Sequence, residues 1–142
     1  MTKGIQTKHH IKAPASAVWD LIKTGEKWEN WLPILAGSKV QGNSRTCDVP
    51  SPEGDIDVFE EIFLASDLEK TFLYQIDKQQ SFPATNIVGY IRLEANGDES
   101  TLFWSVQMEV ESEEVFTALK GQVEEIYAMG AAKLEELAAV TV

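Results

Sequence analysis

The C-terminal segment constrains the fold most. From Ser112 to residue 139, Phe116, Leu119, Val123, Ile126, Tyr127, Gly130, Leu134 and Leu137 recur at three- and four-residue steps. That spacing puts one apolar stripe along a helix of about 40 Å. Ser112, Glu113 and Glu114 open it with a capping hydroxyl and two acids in the first turn, which suits the positive end of the helix dipole. A stripe this long must lie against an apolar surface of similar length. The only segment able to build one is the β-rich middle of the chain.

That middle reads as six strands, over 37–42, 44–49, 55–66, 69–78, 86–95 and 100–110, preceded by a first strand over 3–12. Gly42-Asn43 and Asn96-Gly97-Asp98 are tight hairpin signals, Asp67 marks another corner, and Pro50, Pro52 and Gly54 mark a longer connection. Strands joined by short turns form an antiparallel meander. Ala13-Pro14 ends the first strand and starts a helix over 15–23, which Gly25 stops. A second short helix or turn covers 26–32 and ends at Pro33. Helices this short need packing to hold them. The order is strand, two short helices, six strands, long helix: an α+β chain whose antiparallel sheet is covered on one face by the last helix.

The 142 residues fit one domain, 1–142, large enough to bury a core without disulfide or metal. Cys47 is the only cysteine, and His9 and His10 the only histidines, so neither a disulfide nor a structural zinc site is expected. The formal net charge of −11 repels nucleic acid and anionic headgroups. The opening MTKGIQTKHHIK has no apolar core of a signal peptide, and no stretch approaches a membrane span. A cytoplasmic protein is expected. Monomer and homodimer both stay open.

Several segments resemble one family. Ile11-Lys-Ala-Pro-Ala15 through Val18-Trp-Asp20 is similar to its "apa..VWd" opening. Trp28 and Trp31-Leu-Pro33 resemble its "W..W.P" segment, and Gly42-Asn-Ser-Arg-Thr46 its "G..R" strand. Glu60-Glu61, Tyr74, the run Phe82–Leu93 and Ser100–Ser105 continue in register. The chain thus resembles the polyketide cyclase/dehydrase and lipid-transport branch of the START/Bet v 1-like (SRPBCC) superfamily. The resemblance implies a helix-grip fold, in which a curved sheet wraps the long C-terminal helix around a cavity. Within that branch the chain is similar to the lachrymatory-factor synthase group. There, an arginine on the "G..R" strand and a glutamate of the "EE" pair transfer protons. The matching positions are Arg45 and Glu61, and no cofactor is implied.

Arg45 alternates onto the face of Cys47 and Val49, the more apolar one, and so should point inward. Glu61 shares a stripe with Phe59 and Phe63. The opposite stripe, Ile56, Val58, Glu60, Ile62 and Leu64, is also apolar, so periodicity leaves Glu60 and Glu61 as alternatives for the inner face; the resemblance favours Glu61. A buried Arg–Glu pair could serve acid–base chemistry or steady an oxyanion. The same pair could equally be a cross-strand salt bridge. Tyr74 and Tyr90 could offer phenol hydrogen bonds to a cavity, or simply pack. Trp28 and Trp31 could line its mouth or anchor the short helix. Trp104, with Leu102, Val106 and Met108, reads as core. Tyr127 sits on the helix stripe. His9 and His10 face opposite sides of the first strand, without an acid partner in sequence. Cys47 reads as a small buried hydrophobe.

Three functions fit these residues. One is an enzyme in which Glu61 and Arg45 move a proton on a small apolar substrate, in cyclisation, dehydration or isomerisation. Another is a carrier or sensor of a lipid, polyketide or similar ligand, which calls for a cavity of roughly 300–1,000 Å³. The third is a protein-interaction domain like the activators of the Hsp90 ATPase.

Overall fold

The computed structural model describes residues 1–141, and side chains through residue 139. Strand β1 (Thr2–Ile11) is followed by helix α1 (Ala15–Ile22) and a single 3-10 turn at Trp28–Asn30. Then come β2 (Gly37–Gln41), β3 (Ser44–Pro50), β4 (Ile56–Ser66), β5 (Thr71–Lys78), β6 (Thr85–Asn96) and β7 (Glu99–Glu109). Helix α2 (Glu113–Thr141) closes the chain. The expected element order holds, with boundaries moved by a residue or two. The second short helix is only a 3-10 turn, entered through Lys27 at φ 62°.

All seven strands form one antiparallel sheet in the order β1-β7-β6-β5-β4-β3-β2. Every strand but β2 buries alternate residues on the concave face: Ile5 and Ile11, then Cys47 and Val49, Phe59 and Phe63, Phe72 and Tyr74, Ile91 and Leu93, Leu102 and Trp104. α2 lies against that face through Leu119, Val123, Tyr127 and Leu134. Ser112 caps it, its Oγ accepting from the Val115 N–H at 3.2 Å. Gly130 faces Leu32, Trp104 and Trp31, where a Cβ would just reach van der Waals contact at 3.4–3.5 Å. The Trp19 indole donates to Asp67 at 2.8 Å, tying α1 to the β4–β5 turn. No helix among the described residues is long and apolar enough to cross a membrane.

The ladder is irregular in two places. Between β4 and β5 the register shifts at Glu60/Glu61, so that Glu60 faces Lys78 but Glu61 faces Ile76. Between β6 and β7 it shifts over Thr85–Val88, where Asn86 has φ 50°. Bulges bend a strand and re-aim its side chains. Both flank the β5–β6 loop, which carries Phe82.

Candidate functional site

β3 and β4 pair with Arg45 opposite Glu61. Both side chains turn to the concave face, Arg45 2% and Glu61 6% exposed. Arg45 Nε and Nη2 donate to Glu61 Oε1 at 3.0 and 2.5 Å, and Nη1 donates to the Gly25 carbonyl at 3.1 Å. The guanidinium also lies 4.0 Å from the centroid of the Trp28 ring, a cation–π contact. Gly25 makes this possible. Its φ is +77°, and a Cβ there would meet Phe63 and Phe72 at 3.3 and 3.4 Å. Glu60, by contrast, is exposed and pairs with Lys78 at 3.5 Å. Of the alternatives the periodicity left open, Glu61 is the inner one.

Burial pushes the Glu61 carboxyl above its usual range, against the opposing pull of the Arg45 charge and the hydrogen bonds from Arg45 and Cys47. The Cys47 thiol is pushed up to about 12, first by burial and then by the Glu61 charge. It stays protonated and bonds Glu61. The site therefore combines a carboxyl group shifted toward neutral pH, a fixed cation and a thiol donor in one dry corner.

That corner opens on a cavity of about 80 Å³ between the sheet and α2. Arg45, Cys47, Phe59 and Glu61 wall one side. Tyr74, Ile76, Ile87, Trp104, Val106 and Met108 continue across the sheet, and Leu119, Val123, Ile126 and Tyr127 come from α2. Trp28, Leu32, Ile34, Leu35, Phe82 and Ala84 complete the lining. Ile34, Leu35, Ile76, Phe82 and Ile126 are only half-buried, so the cavity reaches the surface at their end. A void of this size holds a few water-sized groups. It is well below the roughly 300–1,000 Å³ expected for a carrier, because aromatic rings fill much of the space under the sheet.

Of the residues singled out in the sequence, Arg45, Glu61, Trp28, Cys47, Phe59, Tyr74, Trp104 and Tyr127 meet at this cavity. Trp31, Phe63 and Tyr90 do not. Trp31 lies behind Trp28, its centroid 4.8 Å away, and its indole donates to the Leu21 carbonyl at 3.2 Å, so it anchors the turn to α1. Phe63 stacks on Phe72 at 4.9 Å and lies 5.8 Å from the Arg45 guanidinium. Tyr90 alternates onto the convex face and is 38% exposed. Trp28 both lines the cavity and anchors, its indole donating to the Ile22 carbonyl at 3.0 Å. His9 is half-buried, donating to or accepting from Thr7 at 3.0 Å, and His10 is exposed beside Glu99. Neither lines the cavity. No group of three or more His, Cys, Asp or Glu residues among the described residues could hold a metal ion.

Phe82, Leu35 and Ile126 were not singled out as cavity residues. Ile126 carried a signal, its place on the α2 stripe. Phe82 and Leu35 sit in irregular segments, where periodicity gives none. The β5–β6 loop is pinned by two side chains. Gln79 donates to the Phe82 and Ala84 carbonyls at 3.0 and 2.9 Å and accepts from the Phe82 N–H at 2.8 Å. Asp57 accepts from Gln80 N–H and Ser81 Oγ, both at 2.7 Å. Phe82 is thereby held edge-on to Phe59, centroids 6.1 Å apart.

A second polar group lies in the wall. The Trp104 indole donates to Tyr74 Oη at 3.1 Å, and Tyr74 Oη lies 3.4 Å from Tyr127 Oη. The Trp104 and Tyr127 rings stack at 3.7 Å. Tyr74 pairs across the sheet with Gly89, and a Cβ on Gly89 would fall 2.0 Å from Tyr74 Cζ. Only glycine leaves room for that ring. Burial pushes both phenols above their ordinary range.

Residues 3–139 match the family described as polyketide cyclase/dehydrase and lipid transport. The chain belongs to this family. Its fold is that of the START/Bet v 1-like superfamily, as similar solved structures show. XoxI from Bacillus cereus is 25% identical, with a TM-score of 0.78 over 94% of this chain and 93% of that one. A START superfamily protein from Mycobacterium smegmatis is 16% identical, with a TM-score of 0.81 over 98% and 99%. The Zhui aromatase/cyclase from Streptomyces sp. R1128 is 11% identical, with a TM-score of 0.81 over 98% and 94%. No curated protein matches the chain significantly.

Proposed function

We propose that this family member binds a small, mainly apolar molecule in the cavity and moves a proton on it at Glu61, without a cofactor. Cyclisation, dehydration and isomerisation are the reactions that such a step serves. The observation that carries the reading is the buried Arg45–Glu61 pair in the wall of a mainly apolar cavity. A carboxyl whose proton affinity is raised by burial titrates nearer neutral pH, where a general acid or base works best. The likeness of the "G..R" and "EE" segments to the lachrymatory-factor synthase group supports the same assignment. The about 80 Å³ of free space favours a small ligand over an extended lipid.

One observation favours a second reading, a carrier or sensor in which the pair only orients a ligand's polar end. Each of the three Arg45 nitrogens already has a partner, and a guanidinium held in this way also suits a fixed anchor. Native mass spectrometry of protein purified from its own host, with extraction and identification of what co-purifies, tests the shared claim. A small apolar molecule at one-to-one stoichiometry, lost in Arg45→Ala, is expected. Protein that never holds a small molecule, even with candidate ligands in excess, would contradict it. Retention of the molecule by Glu61→Gln without its conversion separates the enzyme from the carrier.

A further inference from the structure

The wall of the cavity contains a hydrogen-bond chain that starts from a fixed donor. An indole N–H can only donate, so Tyr74 Oη is the acceptor in the 3.1 Å bond from Trp104. Tyr74 still has its own proton. The one other partner of that oxygen among the described residues is Tyr127 Oη, at 3.4 Å. Either oxygen could donate across this contact; a head-to-tail chain from Trp104 through Tyr74 to Tyr127, in which each bond polarises the next, favours Tyr74 as the donor. The Tyr127 proton then has no other acceptor among the described residues, and Tyr127 lines the cavity. The Tyr74–Tyr127 separation is long for an O–H···O bond, which leaves Tyr127 Oη free to shift toward a ligand. Gly89 keeps the chain in place by letting the Tyr74 ring lie flat on β6.

We propose that Tyr127 is the cavity's hydrogen-bond donor, that Trp104 and Tyr74 are positioning residues that aim its proton inward, and that the ligand is therefore an apolar molecule bearing a carbonyl oxygen. This rests on the reading that the cavity takes a small ligand, and it names the chemical class. Glu61 supplies the complementary group, so a carbonyl compound held by Tyr127 would present its adjoining C–H or O–H bonds to a wall that also contains a carboxyl.

Acetophenone and ethylbenzene, which share a phenyl ring and a two-carbon chain and differ in the carbonyl group, test it. The readouts are their dissociation constants by protein-observed NMR and the C=O stretch of bound acetophenone by infrared difference spectroscopy. The wild type should bind acetophenone about fivefold more tightly, the worth of one net hydrogen bond. The stretch should fall below its value in hydrocarbon solvent. Tyr127→Phe keeps the stacked ring and should abolish both the preference and the shift. Tyr74→Phe should keep the donor but alter the stretch, an effect that packing alone would not produce. A preference and stretch unaltered in Tyr127→Phe would overturn the proposal. So would an unshifted stretch in the wild type, a result that needs no variant to fold. Equal binding of the two probes overturns this inference alone, whereas binding of neither overturns the ligand-binding reading with it.

Discussion

Burial of one corner of the sheet acts on Glu61 and Cys47 alike, and each has a measurable consequence. Glu61 titrates higher in the folded chain than its ordinary 4.5, so the folded state holds that proton more tightly. The stability it contributes is fully present below the unfolded value and is lost as pH rises through the raised folded value. The urea midpoint of the wild type minus that of Glu61→Gln should therefore fall as pH rises from about 4 to about 8. A flat or rising difference would contradict the raised value. Cys47, held as a thiol up to about pH 12, should resist a disulfide reagent at mildly alkaline pH until the protein is unfolded. Arg45→Ala leaves the Glu61 carboxyl buried without its cation and should cost about 3–5 kcal/mol in denaturant unfolding. At this scale the sequence was partly legible. The inward face of Arg45 followed from Cys47 and Val49 beside it. Glu60 and Glu61 could not be separated, because Ile56, Val58, Ile62 and Leu64 on the other stripe are apolar yet 44–66% exposed. Tyr90, offered to the cavity along with Tyr74, alternates with Ile91 and Leu93, and the structure buries those two and leaves Tyr90 on the convex face.

The long helix and the strands were legible because their patterns repeat over many residues. α2 needed only its stripe and its capping serine, and the hairpins at Gly42-Asn43 and Asn96-Gly97 needed only their turn residues. The bulges were not legible. A bulge adds one residue without changing composition, so the shift at Glu60/Glu61 and the left-handed Asn86 appear only once strands are paired. Gly89 shows the same limit: a glycine inside a strand signals a close approach, but not what approaches. In the structure it is the Tyr74 ring. Gly89→Ala should cost about 1–3 kcal/mol in denaturant unfolding, because the ring must leave its place. In a Tyr74→Ala background the same substitution should cost much less, and this non-additivity marks the pair as coupled. Full additivity would mean that the alanine is accommodated elsewhere.

For the molecule as a whole, the order of elements predicted a sheet wrapped on a helix with space between them, and that is the architecture. The amount of space was not predictable. It depends on how Trp28, Phe59, Phe82, Trp104 and Tyr127 pack, and a strand pattern does not record rotamers. The loop carrying Phe82 lies at the open end, and Gln79 is one of the two side chains that hold it. Gln79→Ala removes the acceptor of the Phe82 amide, which should then pass from protected to fast hydrogen exchange. Continued protection would mean that other contacts hold the loop.

The central claim is that Glu61 moves a proton on the molecule held in the cavity, and deuterium tests it most directly. The co-purified molecule, incubated with the protein in D2O and followed by NMR, should take up solvent deuterium with the wild type. It should take up none above background with folded Glu61→Gln that still binds it. Uptake at the same rate with both proteins, or with neither, would contradict the account and leave Arg45 and Glu61 as an anchor for a ligand that the protein only holds.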